Sequence, residues 1–328
     1  MKVLLTGAFG NIGSATLEEV LRRGHAVRCF DVKTKANERA ASTLGPDVEV
    51  VWGDLRRAED VARAVDGQDV VVHLAFVIPK LSATGRSSED DPVWARSINV
   101  GGTGTLIAAL AARPHPGRLI FISSLHVYGL TQSLPPPRTV DDVPHPVEHY
   151  ARHKLECERL VQESGLTWAI LRLGAAPPTR LILDRGMFDV PLDNRIEFVH
   201  RRDVALASAN SLEREEVWGR IWLIGGGPRC QIYQRELIAP VLEAIGVGML
   251  PDSAFATAPF ATDWLDTAES QRVLDFQRRT IDDYVRDVLA AIGPRRPLIR
   301  LFRPSIRAWM LLLAQTRRWQ LAGTGTTA

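Results

Sequence analysis

A glycine-spaced turn between a strand-like run and a helix-like run constrains this chain more than any other feature. Val3-Leu4-Leu5-Thr6 is short, apolar and β-branched in character. Asn11 to Arg23 carries apolar residues at Ile12, Ala15, Leu17, Val20 and Leu21, and Gly24 closes it, which is the periodicity of an amphipathic helix. Between the two runs lies Thr6-Gly7-Ala8-Phe9-Gly10-Asn11-Ile12-Gly13. Gly7 lets the chain turn sharply, Gly10 lets the backbone approach a phosphate, and Gly13 lets the helix pack on the strand. The helix N-terminus then presents free N–H groups and a partial positive charge to a pyrophosphate. The spacing is GxxGxxG and not GxGxxG, so the strand–turn–helix context carries the reading. Phe9, Asn11 and Ile12 complete the expected contact segment.

Asp31 closes a second strand, Val27 to Asp31. A carboxylate there accepts hydrogen bonds from both ribose hydroxyls and repels a 2′-phosphate, so NAD is the expected cofactor. Lys33 and Lys35 follow closely and soften that exclusion of NADP. Further strands are expected at Val48–Trp52, Val70–Leu74, Leu119–Ser123 and Trp168–Leu173, with helices at Pro92–Ala112 and His149–Ser164. This alternation predicts an α/β fold, a Rossmann-type doubly wound parallel sheet with helices on both faces. Beyond Arg172 the rhythm changes to loops rich in Pro, Gly and Arg. Short apolar runs follow at Ile196–Val199 and Ile221–Ile224, and helices near Asp203–Leu212, Tyr233–Ile245 and Asp282–Ile292. The expected division is therefore a dinucleotide-binding domain over 1–174, a substrate lobe interleaved with the sheet over 175–294, and a basic tail over 295–328.

Tyr150-Ala151-Arg152-His153-Lys154 places a phenol and an ammonium four residues apart, on one helical face. Tyrosine has an ordinary pKa near ~10 and is a poor base at neutral pH. A neighbouring lysine cation, together with a positive nicotinamide ring, stabilises the phenolate and is expected to lower that value. Ser123-Ser124 ends the fifth strand, at the carboxyl edge where doubly wound sheets bind ligands. A serine hydroxyl there can hold a substrate oxygen while Tyr150 exchanges its proton.

Together these residues resemble the extended short-chain dehydrogenase/reductases, the group of NAD-dependent sugar epimerases and dehydratases. The resemblance covers about residues 1 to 290. It extends to Gly53-Asp54-Leu55, His73-Leu74-Ala75, Asn99-Val100-Gly101-Gly102-Thr103, Leu171-Arg172-Leu173 and Phe198-Val199-His200-Arg201-Arg202-Asp203-Val204-Ala205. It implies Ser124 as the catalytic serine, with Ser123 as the alternative. Tyr150 becomes the acid/base, and Lys154 its partner and a holder of the nicotinamide ribose. It implies adenine contacts at Asp54 and Leu55. Leu74, Ala75 and Phe76 become a wall behind the adenosine ribose and pyrophosphate, Asn99 an organiser of the site, and Leu173 a further cofactor contact. Asp203 is expected to hold its local turn and helix start. The implied reaction is hydride transfer at a secondary alcohol or ketone of a sugar or sugar-like substrate, by an epimerase or a related dehydrogenase. A homodimer through the helices of 92–112 and 149–164 is implied as well.

Three departures bear on the substrate. Leu125-His126 stands where the dehydratases carry an acidic pair, and His126 reads either as a substrate contact and auxiliary acid/base or as a structural hydrogen-bonder. Arg172-Leu173-Gly174-Ala175-Ala176-Pro177 lacks the asparagine that meets the substrate diphosphate in the epimerases. The segment from Pro177 to Phe198 is short. A small pocket suits an unconjugated uronic acid, a hydroxysteroid-like alcohol or another compact hydroxy compound. Arg180, Arg185 and Arg195 stand ready for a carboxylate or phosphate, or else face solvent. A non-catalytic NAD-binding regulator is the reading from another class, and the presence of Ser124, Tyr150 and Lys154 weighs against it.

A net charge of +2 gives no reason to invoke nucleic acid. Cys29, Cys157 and Cys230 are too sparse for a disulfide framework or a zinc site, and fit a cytoplasmic protein. No signal peptide or membrane span is expected. From Arg295 onward the tail carries Arg296, Arg300, Arg303, Arg307, Arg317 and Arg318 among Leu, Ile, Phe and Trp, with no acid. Over 295–321 two readings stay open: an interfacial helix on an anionic membrane, or a helix packed on the body or on a partner subunit.

Overall fold

The computed structural model of the protein describes residues 1–79, 85–179 and 185–324, the side chains of 185 and 316–324 excepted. Among the described residues, nine strands form two sheets. The strands are β1 (Lys2–Thr6), β2 (Ala26–Asp31), β3 (Glu49–Trp52), β4 (Val70–His73), β5 (Arg118–Ser124), β6 (Trp168–Leu173), β7 (Arg195–Glu197), β8 (Arg220–Ile224) and β9 (Gln231–Tyr233). The main sheet is parallel, in the order β3-β2-β1-β4-β5-β6-β8. Its central strands are almost wholly apolar because helices cover both faces. One face packs Val3, Leu5, Val70, Val72 and Ile122 against the helices Asn11–Arg22 and Arg201–Leu212. The other packs Leu4, Val71, Leu119 and Phe121 against Ala58–Val65, Gly102–Ala111 and His149–Gln162.

Strand order reverses between β1 and β4. That switch point opens a crevice at the carboxyl edge, where β1, β2, β4, β5 and β6 end at Thr6, Asp31, His73, Ser124 and Leu173. Every expected strand of the sheet is present. The helix expected over 92–112 is interrupted: Pro92–Arg96 passes through a π-helical turn, Ser97–Gly101, into Gly102–Ala111. The extra residue of that turn swings Asn99 into the interior, where it is 1 % exposed, and such turns recur at functional sites.

The segment after β6 both completes the sheet, through β8, and builds a lobe around Phe188, Ile196, Phe198, Phe255 and Tyr284. The tail forms helices Arg296–Leu301 and Arg303–Thr324. It is no separate appendage: Met310 and Ala314 are buried in the core of the lobe. Asp203 does not act locally. The His200 side chain caps its helix, accepting from Arg202 N at 3.2 Å. The Asp203 carboxylate instead accepts from the amides of Arg278 (2.9 Å) and Arg279 (2.8 Å) and from the Arg279 guanidinium (2.5 Å), tying the helix to a distant loop.

Candidate active site

The glycine turn closes as its composition requires. Gly7 has φ +66°, and a side chain there would place Cβ 2.8 Å from the backbone of Ala75. A Cβ on Gly13 would fall 2.1 Å from the Gly7 carbonyl oxygen. Gly10 caps the helix Asn11–Arg22 with no side chain over its first N–H groups, which leaves them for an anion. Asn11 Nδ2 reaches the Ala176 carbonyl at 3.0 Å and ties the helix start to the loop beyond β6. Ile12 packs on the core behind the turn. This bare cradle, with a carboxylate at the end of β2, fits a dinucleotide.

Asp31 braces the cradle. Its carboxylate accepts from Phe9 N at 3.0 Å and from Val32 N at 2.8 Å. Burial raises its pKa and outweighs those two bonds. The Phe9 ring lies 5.5 Å from that of Trp52, an aromatic pair beside the expected adenosine end. Lys33 pairs with Glu38 at 3.4 Å. Asp54 is held by Arg56, at 3.0 Å from Nε, and its pKa is lowered by that bond. Leu55 is buried under Gly102, whose Cβ would sit 2.6 Å from it. The amides of Leu74 and Ala75 both donate to Thr6 Oγ1 at 3.2 Å. Asn99 spends its amide on the same loop: Oδ1 accepts from Val77 N at 2.7 Å and Nδ2 donates to Val77 O at 2.9 Å. It therefore acts by shaping the loop that carries Phe76.

At the reactive end, the Ser124 hydroxyl accepts from His126 N at 3.3 Å and acts to lower the pKa of the Tyr150 phenol. Ser123 is occupied elsewhere, donating to Glu158 at 2.5 Å, which favours Ser124 as the serine facing the substrate. Glu158 also takes both arms of Arg172, Nε at 3.0 Å and Nη2 at 2.7 Å, while Arg172 Nη1 donates to Tyr128 Oη at 2.8 Å. This buried network joins the helix of Tyr150 to β5 and β6. Lys154 is 3 % exposed, donates to Ile122 O at 2.6 Å, and lies 3.6 Å over the Phe76 ring. Leu173 ends β6 in register with Ser124.

The two pKa values run against the expectation drawn from the Tyr-x-x-x-Lys spacing. Burial pushes Tyr150 up to about 12; the Ser124 hydrogen bond opposes this and the Glu148 charge adds to it. Burial pushes Lys154 down to about 7. Desolvation of the charged form is the largest influence on each group; for Lys154, the charges of Cys157 and Glu158 act against it.

His126 Nδ1 lies 2.8 Å from Glu148 Oε2. A carboxylate only accepts, so Nδ1 carries the proton and Nε2 is left to accept one. The imidazole meets Tyr150 edge-on at 5.8 Å and Phe260 at 5.7 Å, between ring centroids. Glu89 accepts from His149 N (3.0 Å) and Tyr150 N (2.9 Å), so it closes the N-terminus of the helix His149–Gln162 from a separate loop. Glu148, two residues before Tyr150, was open to detection as an acid at the helix start; Glu89 and Phe260 carry no local signal. Arg195 is consumed: Nε and Nη2 hold Asp263 at 2.6 and 3.1 Å, and Nη2 also donates to Leu134 O at 2.9 Å. Arg180 and the side chain of Arg185 lie outside the described residues.

The chain is 28% identical over 94% of its length to the 3 beta-hydroxysteroid dehydrogenase/Delta 5-->4-isomerase of Mycobacterium tuberculosis, of which it covers 74%. Among solved structures it resembles the UDP-glucuronic acid 4-epimerase of Bacillus cereus, crystallised with UDP-glucuronic acid and NAD. There the TM-score is 0.73 at 21% identity, over 89% of this chain and 99% of that one. It also resembles the dTDP-glucose 4,6-dehydratase DesIV of Streptomyces venezuelae, with a TM-score of 0.74 at 25% identity over 90% and 98% of the two chains. The model of the NAD dependent epimerase/dehydratase family matches residues 3–176, the span that holds the glycine cradle and Ser124, Tyr150 and Lys154. With fold, cradle and matched span in agreement, the chain belongs to the NAD-dependent epimerase/dehydratase family.

Proposed function

We propose that this protein is a net dehydrogenase for a secondary alcohol on a compact, mainly apolar ring compound of the hydroxysteroid class. NAD, when bound, accepts hydride from the carbinol carbon. Ser124 holds the alcohol oxygen, Tyr150 takes its proton, and Lys154 supports the phenolate and holds a ribose. His126, oriented by Glu148, contacts the substrate beside Tyr150. Gly7, Phe9, Gly10, Asn11, Ile12 and Gly13 take the pyrophosphate, Asp31 the adenosine ribose, and Asp54 and Leu55 the adenine. Leu74, Ala75, Phe76 and Leu173 form the wall.

The capture of Arg195 by Asp263 carries this choice of substrate. A sugar diphosphate is met by cations; among the described residues, His126 lies beside Tyr150 with Phe260 against it, and Arg195 is paired with Asp263. The relative acting on hydroxysteroids, aligned over 94% of this chain, supports the same reading. The second reading is a sugar-nucleotide epimerase, favoured by the two structural neighbours named above. NADH formation from NAD with a 3β-hydroxysteroid, free uronic acids and UDP-sugars decides between them. NADH with the steroid alone, lost in Tyr150→Phe by about a hundredfold or more with NAD affinity kept, is the expected result. Epimer formation from a UDP-sugar with no net NADH would refute it.

The proposed partners are the small-molecule substrate, a second copy packed through the helices of 92–112 and 149–164, and a membrane surface met by 295–321. Val93, 81 % exposed, lies on the first of those helices. Val93→Glu should shift a dimer toward monomer in sedimentation velocity, and an unchanged dimer would exclude that interface.

A further inference from the structure

The C-terminal helices have two faces, and only one is in use. On the inner face, Met310 and Ala314 are buried beside Phe188 and Phe255. Arg303 Nε donates to Val247 O at 3.0 Å, and Arg307 Nη1 donates to the carbonyls of Val247, Gly248 and Met249 at 2.8 to 3.0 Å. These two arginines dock the tail on the lobe.

The outer face is apolar. Leu298, Leu301, Phe302, Trp309 and Leu312 are 57, 71, 56, 45 and 56 % exposed. They are five of the thirteen exposed large apolar side chains among the described residues, gathered within fifteen positions of the chain. The spacings of three and four residues place Leu298, Leu301 and Phe302 together, and Trp309 with Leu312. An exposed run of this kind marks a contact surface. Its charge selects the partner: after Asp287 the chain has seven arginines and no acid. Arg295 and Arg300 are exposed beside the run. Two such tails placed face to face would bring like charges together. An anionic bilayer supplies both an apolar interior for the leucines and Phe302 and negative headgroups for the arginines. No helix of the described residues is long and apolar enough to cross a membrane, so the contact is interfacial.

We infer that the outer face, Leu298 to Leu312, lies in the surface of an anionic lipid bilayer while the inner face holds the lobe to it. The tail is thus a rigid bracket that sets the substrate lobe against the membrane in one orientation. This deepens the membrane reading of 295–321 and is independent of the substrate.

The test uses the full chain, because removing the tail would uncover the core around Met310. Vesicles of phosphatidylcholine, alone or mixed with phosphatidylglycerol, are sedimented with the wild type, with a Phe302→Ser/Trp309→Ser/Leu312→Ser variant, and with Val143→Ser, at another exposed apolar side chain, as a surface control. An unchanged unfolding midpoint confirms that the exposed substitutions leave the fold intact. The expected result is binding to the mixed vesicles, about tenfold weaker binding for the triple variant, and no change for Val143→Ser. Wild type that sediments with neither vesicle overturns the membrane reading and the inference together. Binding that the triple variant retains overturns the face assignment alone. Equal binding to both vesicles overturns the anionic partner. A concentration-dependent dimer abolished by the triple variant assigns the face to a second copy and overturns the inference.

Discussion

Glu158→Gln tests whether the buried network behind the active site holds it in place. Glu158 and Arg172 side chains are 1% and 4% exposed, and their closest approach is 2.7 Å. Burial works against the charge of Arg172, and the hydrogen bonds and charge of Glu158 outweigh it, so the guanidinium pKa is raised. Glutamine keeps the volume but leaves a buried guanidinium without a counter-charge. Breaking such a pair from one side costs about 3–5 kcal/mol. The retained amide oxygen still accepts one N–H, which places the expectation near the lower bound. In a chain of this size that corresponds to a fall in Tm of about 4–7 °C, with the lower value expected. Denaturant unfolding at constant m measures it. Glu156→Gln on the same helix is the control: its pair with Arg96 has side chains 57% and 40% exposed, and should change stability by about 0.5 kcal/mol or less. Glu158→Leu with Arg172→Met should recover most of the loss, since replacing both partners removes the stranded charge. A loss below about 1 kcal/mol for Glu158→Gln would refute the reasoning, because an uncompensated buried charge cannot be that cheap.

Three further outcomes follow from the site. Gly13→Ala sets a Cβ 2.1 Å from the Gly7 carbonyl, so the turn must open; NAD affinity measured by calorimetry should fall by about tenfold or more, and an unchanged affinity would show the cradle to be compliant. Burial lowers Lys154 from 10.5 to about 7, so the folded chain binds fewer protons than the unfolded one between those values. Stability should therefore rise with pH between about 7 and about 9, below the range where the buried thiols begin to oppose it, and the rise should flatten in Lys154→Met; an equal slope in both proteins would contradict the burial. His126→Asn and Glu148→Gln remove the same oriented imidazole, so each should lower kcat/KM on the order of tenfold and the double variant should lose no more, whereas additive losses would separate their roles.

The chain by itself determined whatever rests on local backbone chemistry. Gly7, Gly10 and Gly13 made the turn readable because only a residue without a Cβ fits there, and alternating apolar runs made the parallel sheet readable because period and length are local properties. Tyr150 and Lys154 were legible because helical spacing places residues four apart on one face. Tertiary structure alone decided what surrounds them. Glu89 reaches the amides of His149 and Tyr150 from sixty positions away. Phe260 meets His126 from the far lobe, and Asp263 pairs with Arg195 at 2.6 Å from sixty-eight positions away. The expectation that Lys154 and a nicotinamide cation lower the phenol pKa counts charges alone; spacing reports which groups are near each other, but not how much water they lose, and burial acts on Tyr150 and Lys154 in the opposite direction. The tail shows the division most plainly. Its composition offered docking or membrane contact as alternatives; folding assigns one face to the lobe and leaves the other apolar and exposed, because which side of a helix finds a partner depends on what the rest of the chain places beside it.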